Sequence, residues 1–134
     1  MKSWDVIVIG SGAAGFAAAV TACCKGLSVL MLEKAPHFGG TSAISGGAVW
    51  INDTDQARQL GKSGSPEAVK TYLRTIIGDT NYRPEMVDAF VNAGREALAF
   101  LEQEGAVKYS LRPLSPDYYP DEPGAVDVGR ALEV

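Results

Sequence analysis

Three glycines, Gly10, Gly12 and Gly15, stand at G-x-G-x-x-G spacing directly after the apolar run Val6-Ile7-Val8-Ile9. Glycines at this spacing suit an anionic diphosphate. Gly10 would make the tight turn, Gly12 would let the backbone approach a pyrophosphate with no Cβ in the way, and Gly15 would let the following helix press against the strand. The small residues Ser11, Ala13 and Ala14 complete a turn whose helix N-terminus offers unpaired N–H groups and partial positive charge to the anion. Glu33 lies 18 residues after Gly15, at the end of a second apolar run. A carboxylate there would accept hydrogen bonds from a ribose hydroxyl. An acid at that place disfavours a 2′-phosphate, which points to FAD or NAD rather than NADP. The spacing alone arises easily by chance in a chain with 15 glycines among 134 residues, so the flanking elements must supply the context.

Two further stretches carry chemistry-bearing residues. The span Glu33–Asn52 holds four glycines (Gly39, Gly40, Gly46 and Gly47) and three hydroxyl residues (Thr41, Ser42 and Ser45). Such a loop admits close backbone approach and offers short donors to phosphate oxygens or to the polar edge of a flat ring. Its bulky neighbours Phe38, Trp50 and Ile51 are expected to pack inside. Farther on, Tyr118 and Tyr119 sit between Pro116 and Pro120, in a backbone too rigid for a helix and too poor in donors for a central strand. A tyrosine in a stiff loop is a packing and hydrogen-bonding device. It is equally a placed phenol able to exchange protons with a substrate. The other reactive side chains give less. Cys23 and Cys24 are adjacent and cannot bridge each other comfortably, so they read as small buried thiols rather than a redox pair. His37 has no Cys or acid at ligand spacing, and no metal site is expected.

The elements that must position these residues follow from the apolar pattern. Val6–Ile9, an Ala-rich helical segment Phe16–Lys25 stopped by Gly26, and a strand Leu27–Leu32 make a βαβ unit; the unbroken aliphatic run suits a parallel strand covered on both faces. Residues 53–64 read as a polar connection. Ser65-Pro66-Glu67 then opens a helix by N-cap, first-turn proline and early acid, and Ala68, Val69, Tyr72, Leu73, Ile76 and Ile77 recur at helical spacing up to Gly78. Pro84 opens another, whose apolar face is traced by Met86, Val87, Phe90, Val91, Leu98, Phe100 and Leu101 until Gly105. Ala106–Arg112 alternates as a strand, and Val128–Val134 shows neither a helix nor a polar tail. The expected organisation is a nucleotide-binding segment over residues 1–52 and a helical extension with the start of a cap over residues 53–134. With 46% hydrophobic and 21% charged residues the composition is that of a globular protein. A net charge of −4 without any basic stripe argues against a nucleic-acid partner. No run is long and apolar enough to span a bilayer, and the absence of a cationic and apolar leader ahead of the first strand suggests a cytoplasmic location.

The Gly10–Gly15 turn, Glu33-Lys34 and Gly39–Gly47 together resemble the N-terminal part of the FAD-dependent oxidoreductases related to fumarate reductase and succinate dehydrogenase flavoproteins. Within that superfamily Val49-Trp50-Ile51, the Pro116–Pro120 segment and Gly129-Arg130-Ala131-Leu132-Glu133 are similar to the 3-ketosteroid dehydrogenases. The resemblance implies FAD, with Gly10, Ser11, Gly12, Ala13, Ala14 and Gly15 at the pyrophosphate and Glu33, with Lys34 beside it, at the adenosine ribose. Gly40, Thr41, Ser42, Ser45, Gly46 and Gly47 would lie along the phosphates and the isoalloxazine face. It implies a Rossmann-type α/β fold, dehydrogenation of a carbon–carbon bond next to a ketone, a ketosteroid or similar hydrophobic substrate, and an external electron acceptor. Tyr118 matches the first of a tyrosine pair that lines the family's active site, where it would assist a tyrosine base. That base, the groups that polarise the ketone and the segment completing the flavin site would lie beyond Val134, which implies an incomplete fold with little activity by itself. Attachment of FAD would be non-covalent, since His37 is the single histidine. Two alternatives stand beside this one. A fumarate-reductase-like enzyme acting on an enoate or dicarboxylate would need arginines to pair with carboxylates, and no arginine cluster stands beside the paired tyrosines. A nucleotide-binding module without redox chemistry would bind NAD or another nucleotide and no flavin.

Overall fold

The computed structural model describes residues 2–134. It divides into two compact units, residues 1–47 with 101–108, and residues 48–100 with 109–134.

In the first unit Val6–Ile9 forms β1, Ala13–Cys24 forms α1 and Val29–Leu32 forms β2. β1 and β2 pair in parallel, Val6 opposite Val29 and Ile9 opposite Leu32. This is the expected βαβ unit, with α1 starting three residues earlier than the Ala-rich run because Gly12 serves as its N-cap. The positive φ of Gly26, 79°, ends the helix, and the N–H groups of Gly26 and Leu27 close back onto Cys23 and Ala22. Val8 is buried on the side of β1 toward which Gly15 of α1 is directed, whereas Ile7 and Ile9 on the other side are exposed, Ile9 to 85%. The expectation of a strand covered on both faces is therefore met on one face within this unit. Cys23 and Cys24 are exposed rather than buried, since they lie in the last turn of α1, past the end of the strand contact. Partial desolvation nonetheless pushes the Cys24 pKa up, and the Glu104 carboxylate adds to the shift by its hydrogen bond and its charge. Phe38 is likewise exposed, to 60%; its one aromatic neighbour is Phe16, at a 6.5 Å centroid separation. The Gly40–Ile44 segment winds into a 3-10 turn and is not an open loop.

The second unit is built on a three-stranded antiparallel sheet. Ala48–Trp50 is β3, Ser110–Leu111 is β4 and Ala131–Glu133 is β5, in the order β3-β5-β4. Leu132 of the central strand faces Val49 and Leu111 and is fully buried. The C-terminal residues thus hold the middle of the sheet, a strand that the mixed sequence Val128–Val134 does not announce. The strand expected over 106–112 shrinks to two residues, and the polar 53–64 segment contains a short helix, α2 (Asp55–Gln59). Thr54 caps α2 by accepting from the Ala57 N–H, Asp55 lies in its first turn and Arg58 in its last. It escapes a periodicity reading because Ala57 is its only buried residue. Gln56 fastens β4 at both ends of its amide, donating to the Tyr109 carbonyl at 2.8 Å and accepting from the Leu111 N–H at 2.6 Å.

The two longer helices match their start signals. α3 (Pro66–Ile77) has Ser65 as N-cap accepting from the Ala68 N–H, and ends at Gly78; Val69 and Tyr72 are its buried residues. α4 (Pro84–Gln103) buries Val87 and Leu98. Met86, assigned to the packed face by spacing, is exposed, because Val87 and Leu98, eleven residues apart and hence about three turns, define the buried stripe; Phe90 packs as expected, stacking on Trp50 at 6.3 Å, with 41% of its surface still exposed. Among the described residues no helix is long and apolar enough to cross a membrane.

Candidate functional site

Each glycine of the Gly10–Gly15 turn has a separate physical reason to be there. Gly10 adopts φ +94°, the region that favours glycine, and its N–H donates to the Leu32 carbonyl at 2.8 Å. A Cβ on Gly15 would stand 2.1 Å from the Gly10 carbonyl oxygen, so α1 can approach the turn only without a side chain there. A Cβ on Gly12 would meet nothing within 4 Å. As the N-cap of α1 it brings no side chain of its own to the helix N-terminus.

Around this turn the hydroxyls and the acid form one hydrogen-bonded latch. Ser11 is fully buried. Its N–H and its Oγ both donate to Glu33 Oε2, at 2.9 and 2.6 Å, and its Oγ accepts from the Gly39 N–H at 2.9 Å. The other carboxylate oxygen, Oε1, accepts from the Ala35 N–H at 2.9 Å. Donation from the Ser11 hydroxyl above all, with the Ala35 and Ser11 N–H groups, holds the Glu33 carboxyl down at about 2, so it is ionised at neutral pH and remains a hydrogen-bond acceptor. Ser42 Oγ accepts from the Ala13 N–H at 3.2 Å, and a Cβ on Gly40 would come within 3.4 Å of Gly12 Cα. The 3-10 turn is thereby docked on the glycine turn. Ser45 closes its far end, donating to the Ser42 carbonyl at 2.8 Å and accepting from the Gly47 N–H at 3.2 Å. The structure thus brings together Gly10, Ser11, Gly12, Ala13, Gly15, Glu33, Gly40 and Ser42, with Ala14 on the first turn of α1. Gly47 is tied on through Ser45, and Lys34, Thr41 and Gly46 are exposed nearby in the chain.

The second unit contains a buried polar cluster that sequence reasoning missed. Arg130, 1% exposed, and Asp117, 5% exposed, form an ion pair with Nη1 donating to Oδ2 at 2.6 Å. Asp117 Oδ1 accepts from the Trp50 indole N–H at 2.7 Å, and Oδ2 also accepts from the Val126 N–H at 3.0 Å. Arg130 Nε donates to Asn52 Oδ1 at 3.3 Å, and Asn52 Nδ2 donates to the Gly64 carbonyl at 2.9 Å. The guanidinium carbon lies 5.1 Å from the Trp50 ring centre and 5.8 Å from that of Tyr72, within cation–π range. The two rings stack at 6.1 Å. Burial pushes the Arg130 pKa down and the Asp117 carboxylate opposes it; the guanidinium stays charged. The available signal was Trp50, whose indole N–H needs an acceptor when packed inside, but no spacing rule says which of the chain's acids supplies it.

Tyr118 follows Asp117 directly and is 97% exposed. Its neighbours on both sides are fixed. The Asp117 N–H donates to the Val126 carbonyl and its carboxylate accepts from the Val126 N–H, both at 3.0 Å, and the Tyr119 N–H donates to Tyr72 Oη at 3.2 Å. Among the described residues no group of three or more His, Cys, Asp or Glu side chains is placed to hold a metal ion.

Comparison with known proteins agrees with this geometry. The family described as FAD binding domain matches residues 5–130. The chain is 43% identical over 133 residues to the 3-oxosteroid 1-dehydrogenase of Mycobacterium tuberculosis (strain ATCC 25618 / H37Rv), covering 99% of this chain and 23% of that protein. It is 44% identical over 132 residues to the 4-oxocyclohexanecarboxylate 2-dehydrogenase of Sinomonas cyclohexanicum, covering 98% and 23%. Among solved structures it is similar to the 3-ketosteroid delta1-dehydrogenase of Sterolibacterium denitrificans in complex with 1,4-androstadiene-3,17-dione. The TM-score is 0.84 and the identity 35%, over 98% of this chain and 23% of the other. The chain therefore spans about a quarter of the length of the relatives it matches. The family match runs across nearly the whole chain, and it carries the glycine turn and the glutamate latched to it: this chain belongs to the FAD binding domain family, and it is similar over its whole length to 3-ketosteroid dehydrogenases.

Proposed function

We propose that this chain is the pyrophosphate- and ribose-binding segment of a cytoplasmic FAD-dependent dehydrogenase that desaturates a carbon–carbon bond next to a ring ketone and passes the electrons to an external acceptor. The observation that carries the reading is the near-complete coverage of this chain, at 43 and 44% identity, by two relatives whose names both specify dehydrogenation of an oxo-substituted ring. The geometry supports the cofactor half. In this reading the N–H groups at the start of α1, reached over Gly12, bind the pyrophosphate. Glu33, kept ionised by Ser11, accepts from the ribose hydroxyls, with Lys34 at its side, and Gly40, Thr41, Ser42, Ser45, Gly46 and Gly47 line the phosphates and the ring. Bound FAD supplies the hydride acceptor, and the protein supplies position and electrostatics. Tyr118 would assist removal of the proton alpha to the ketone, a role that suits a phenol held out on a fixed backbone and packed against nothing in its own unit.

A steroid is the first substrate to test. A monocyclic oxo acid is the second, favoured by the 44% identity to the cyclohexanecarboxylate enzyme. A dicarboxylate fits less well, because the arginine near the paired tyrosines is only 1% exposed and its charge is already paired with Asp117. The test is made on the full-length natural protein. It should purify with a flavin spectrum and, with an artificial electron acceptor, desaturate a 3-oxosteroid or 4-oxocyclohexanecarboxylate. NAD binding without flavin, or fumarate reduction with neither ketone consumed, would overturn the proposal.

A further inference from the structure

Asp117 and Arg130 form a buried ion pair in the second unit, among none of the residues assigned to the cofactor, and this makes its location informative. Removing two charges from water is costly, and such a pair contributes less net stability than a well-packed apolar replacement. Its effect here is geometric. The pair joins three stretches distant in sequence: Trp50 and Asn52 at β3, the loop from Asp117 to Val126, and Arg130 at the start of β5. A fourth, α3, enters through Tyr72, whose ring faces the guanidinium and whose hydroxyl accepts from the Tyr119 N–H. Asp117 is held by Trp50, Val126 and Arg130, and the Tyr119 N–H by the Tyr72 hydroxyl, while the side chain between them is 97% exposed. A loop that needed only to be closed would not require a charged pair beneath a residue that packs on nothing.

We infer that Asp117 and Arg130 are positioning residues, a buried clasp whose task is to hold the Tyr118 phenol at one place and orientation for the ketone substrate. The inference rests on the reading of Tyr118 as an active-site residue. The clasp acts through the backbone on either side of Tyr118 and touches no substrate. Replacing Asp117 by Asn keeps an acceptor for Trp50 and removes the charge that holds Arg130. Replacing Arg130 by Lys keeps the charge and removes the second donor that reaches Asn52.

The test uses the full-length protein, with far-UV circular dichroism and the flavin absorbance as checks that each variant is folded. For turnover of the ketone substrate, Tyr118→Phe and Asp117→Asn should each lower kcat by about 10-fold to 100-fold with KM changed little. In the Tyr118→Phe background, Asp117→Asn should lower kcat by less than about 2-fold, since the residue it positions is already disabled. Equal factors in both backgrounds would mean that Asp117 serves the fold at large, and would overturn the inference. A second measurement is independent of activity. With 3-fluorotyrosine at position 118, the fluorine spectrum should show one resonance distinct from the free amino acid, which Asp117→Asn and the milder Arg130→Lys move toward the free value or split. An unchanged resonance in both variants, or a free-like one in the parent, overturns the clasp. If Tyr118→Phe leaves kcat unchanged while the resonance moves, the clasp stands and the active-site reading of Tyr118 falls. Should Asp117→Asn fail to fold, Arg130→Lys carries both measurements.

Discussion

The two units fix their loops in opposite ways. In the first, side chains are absent where the chain must be approached: Gly15 meets Gly10, Gly40 meets Gly12, and the fastening is one buried hydroxyl, Ser11, between an ionised glutamate and a backbone N–H. In the second, the fastening is bulky and charged, an arginine set against two stacked aromatic rings and held by an aspartate. The difference follows from what is presented. A diphosphate needs bare backbone and open space, and small donors hold such a turn without occupying it. A displayed side chain needs a support that does not slide, and a hydrogen-bonded ion pair supplies direction that apolar packing lacks.

If that contrast is right, the largest loss of stability should come from the charged support. Arg130→Ala leaves Asp117 buried and unpaired and should cost about 3–5 kcal/mol, read from the shift of the urea midpoint. Gly15→Ala comes next, at about 1–3 kcal/mol or somewhat more, because the new Cβ would have to push apart backbone atoms 2.1 Å away; a midpoint that does not move would mean that α1 slides freely on the turn. Ser11→Ala should cost about 1–3 kcal/mol for the lost bonds to Glu33 and Gly39, with the Gly39 amide exchanging faster. The smallest change in stability belongs to Gly12→Ala, within about 0.5 kcal/mol, since the new Cβ would meet nothing within 4 Å; the same substitution should weaken FAD retention at equilibrium dialysis, and unchanged retention would separate Gly12 from the pyrophosphate.

Acid sharpens the same contrast. Glu33 is held at about 2 against an ordinary 4.5. A depressed carboxylate contributes stability that is present above its unfolded value and is lost as pH falls through the folded one. The latch should therefore be indifferent to pH between 5 and 8 and should open between about 4.5 and 2, followed by the Gly39 amide shift. In Ser11→Ala that opening should move to higher pH, because the largest cause of the depression is gone.

What was legible in the chain divides along the same line. The glycine turn, α1, β2, Glu33 and the starts of α3 and α4 depend on neighbours a few residues away, and local rules of spacing and capping recover them. β5 depends on Trp50 pairing with Ala131 and Leu111 with Leu132, and seven mixed residues carry no trace of partners so distant. α2 shows its caps and no apolar stripe. Ser11 was placed by its position in the turn, but its burial against Glu33 required knowing that β2 returns beside β1. Asp117 and Arg130 look like any acid and any base until the fold removes them from water. Phe38 and Met86 mislead in the other direction: size and hydrophobicity suggest burial, and the register of the surrounding turns exposes them.

The bare side of β1 has a practical consequence for handling the molecule. Ile7, Ile9 and Leu32 present branched aliphatic groups to solvent beside a parallel ribbon of only two strands, and unprotected edges of that kind recruit other chains. Preparations of these 134 residues should be prone to concentration-dependent clouding, which added charge at Ile9, for example Ile9→Lys, would relieve while leaving the glycine turn intact.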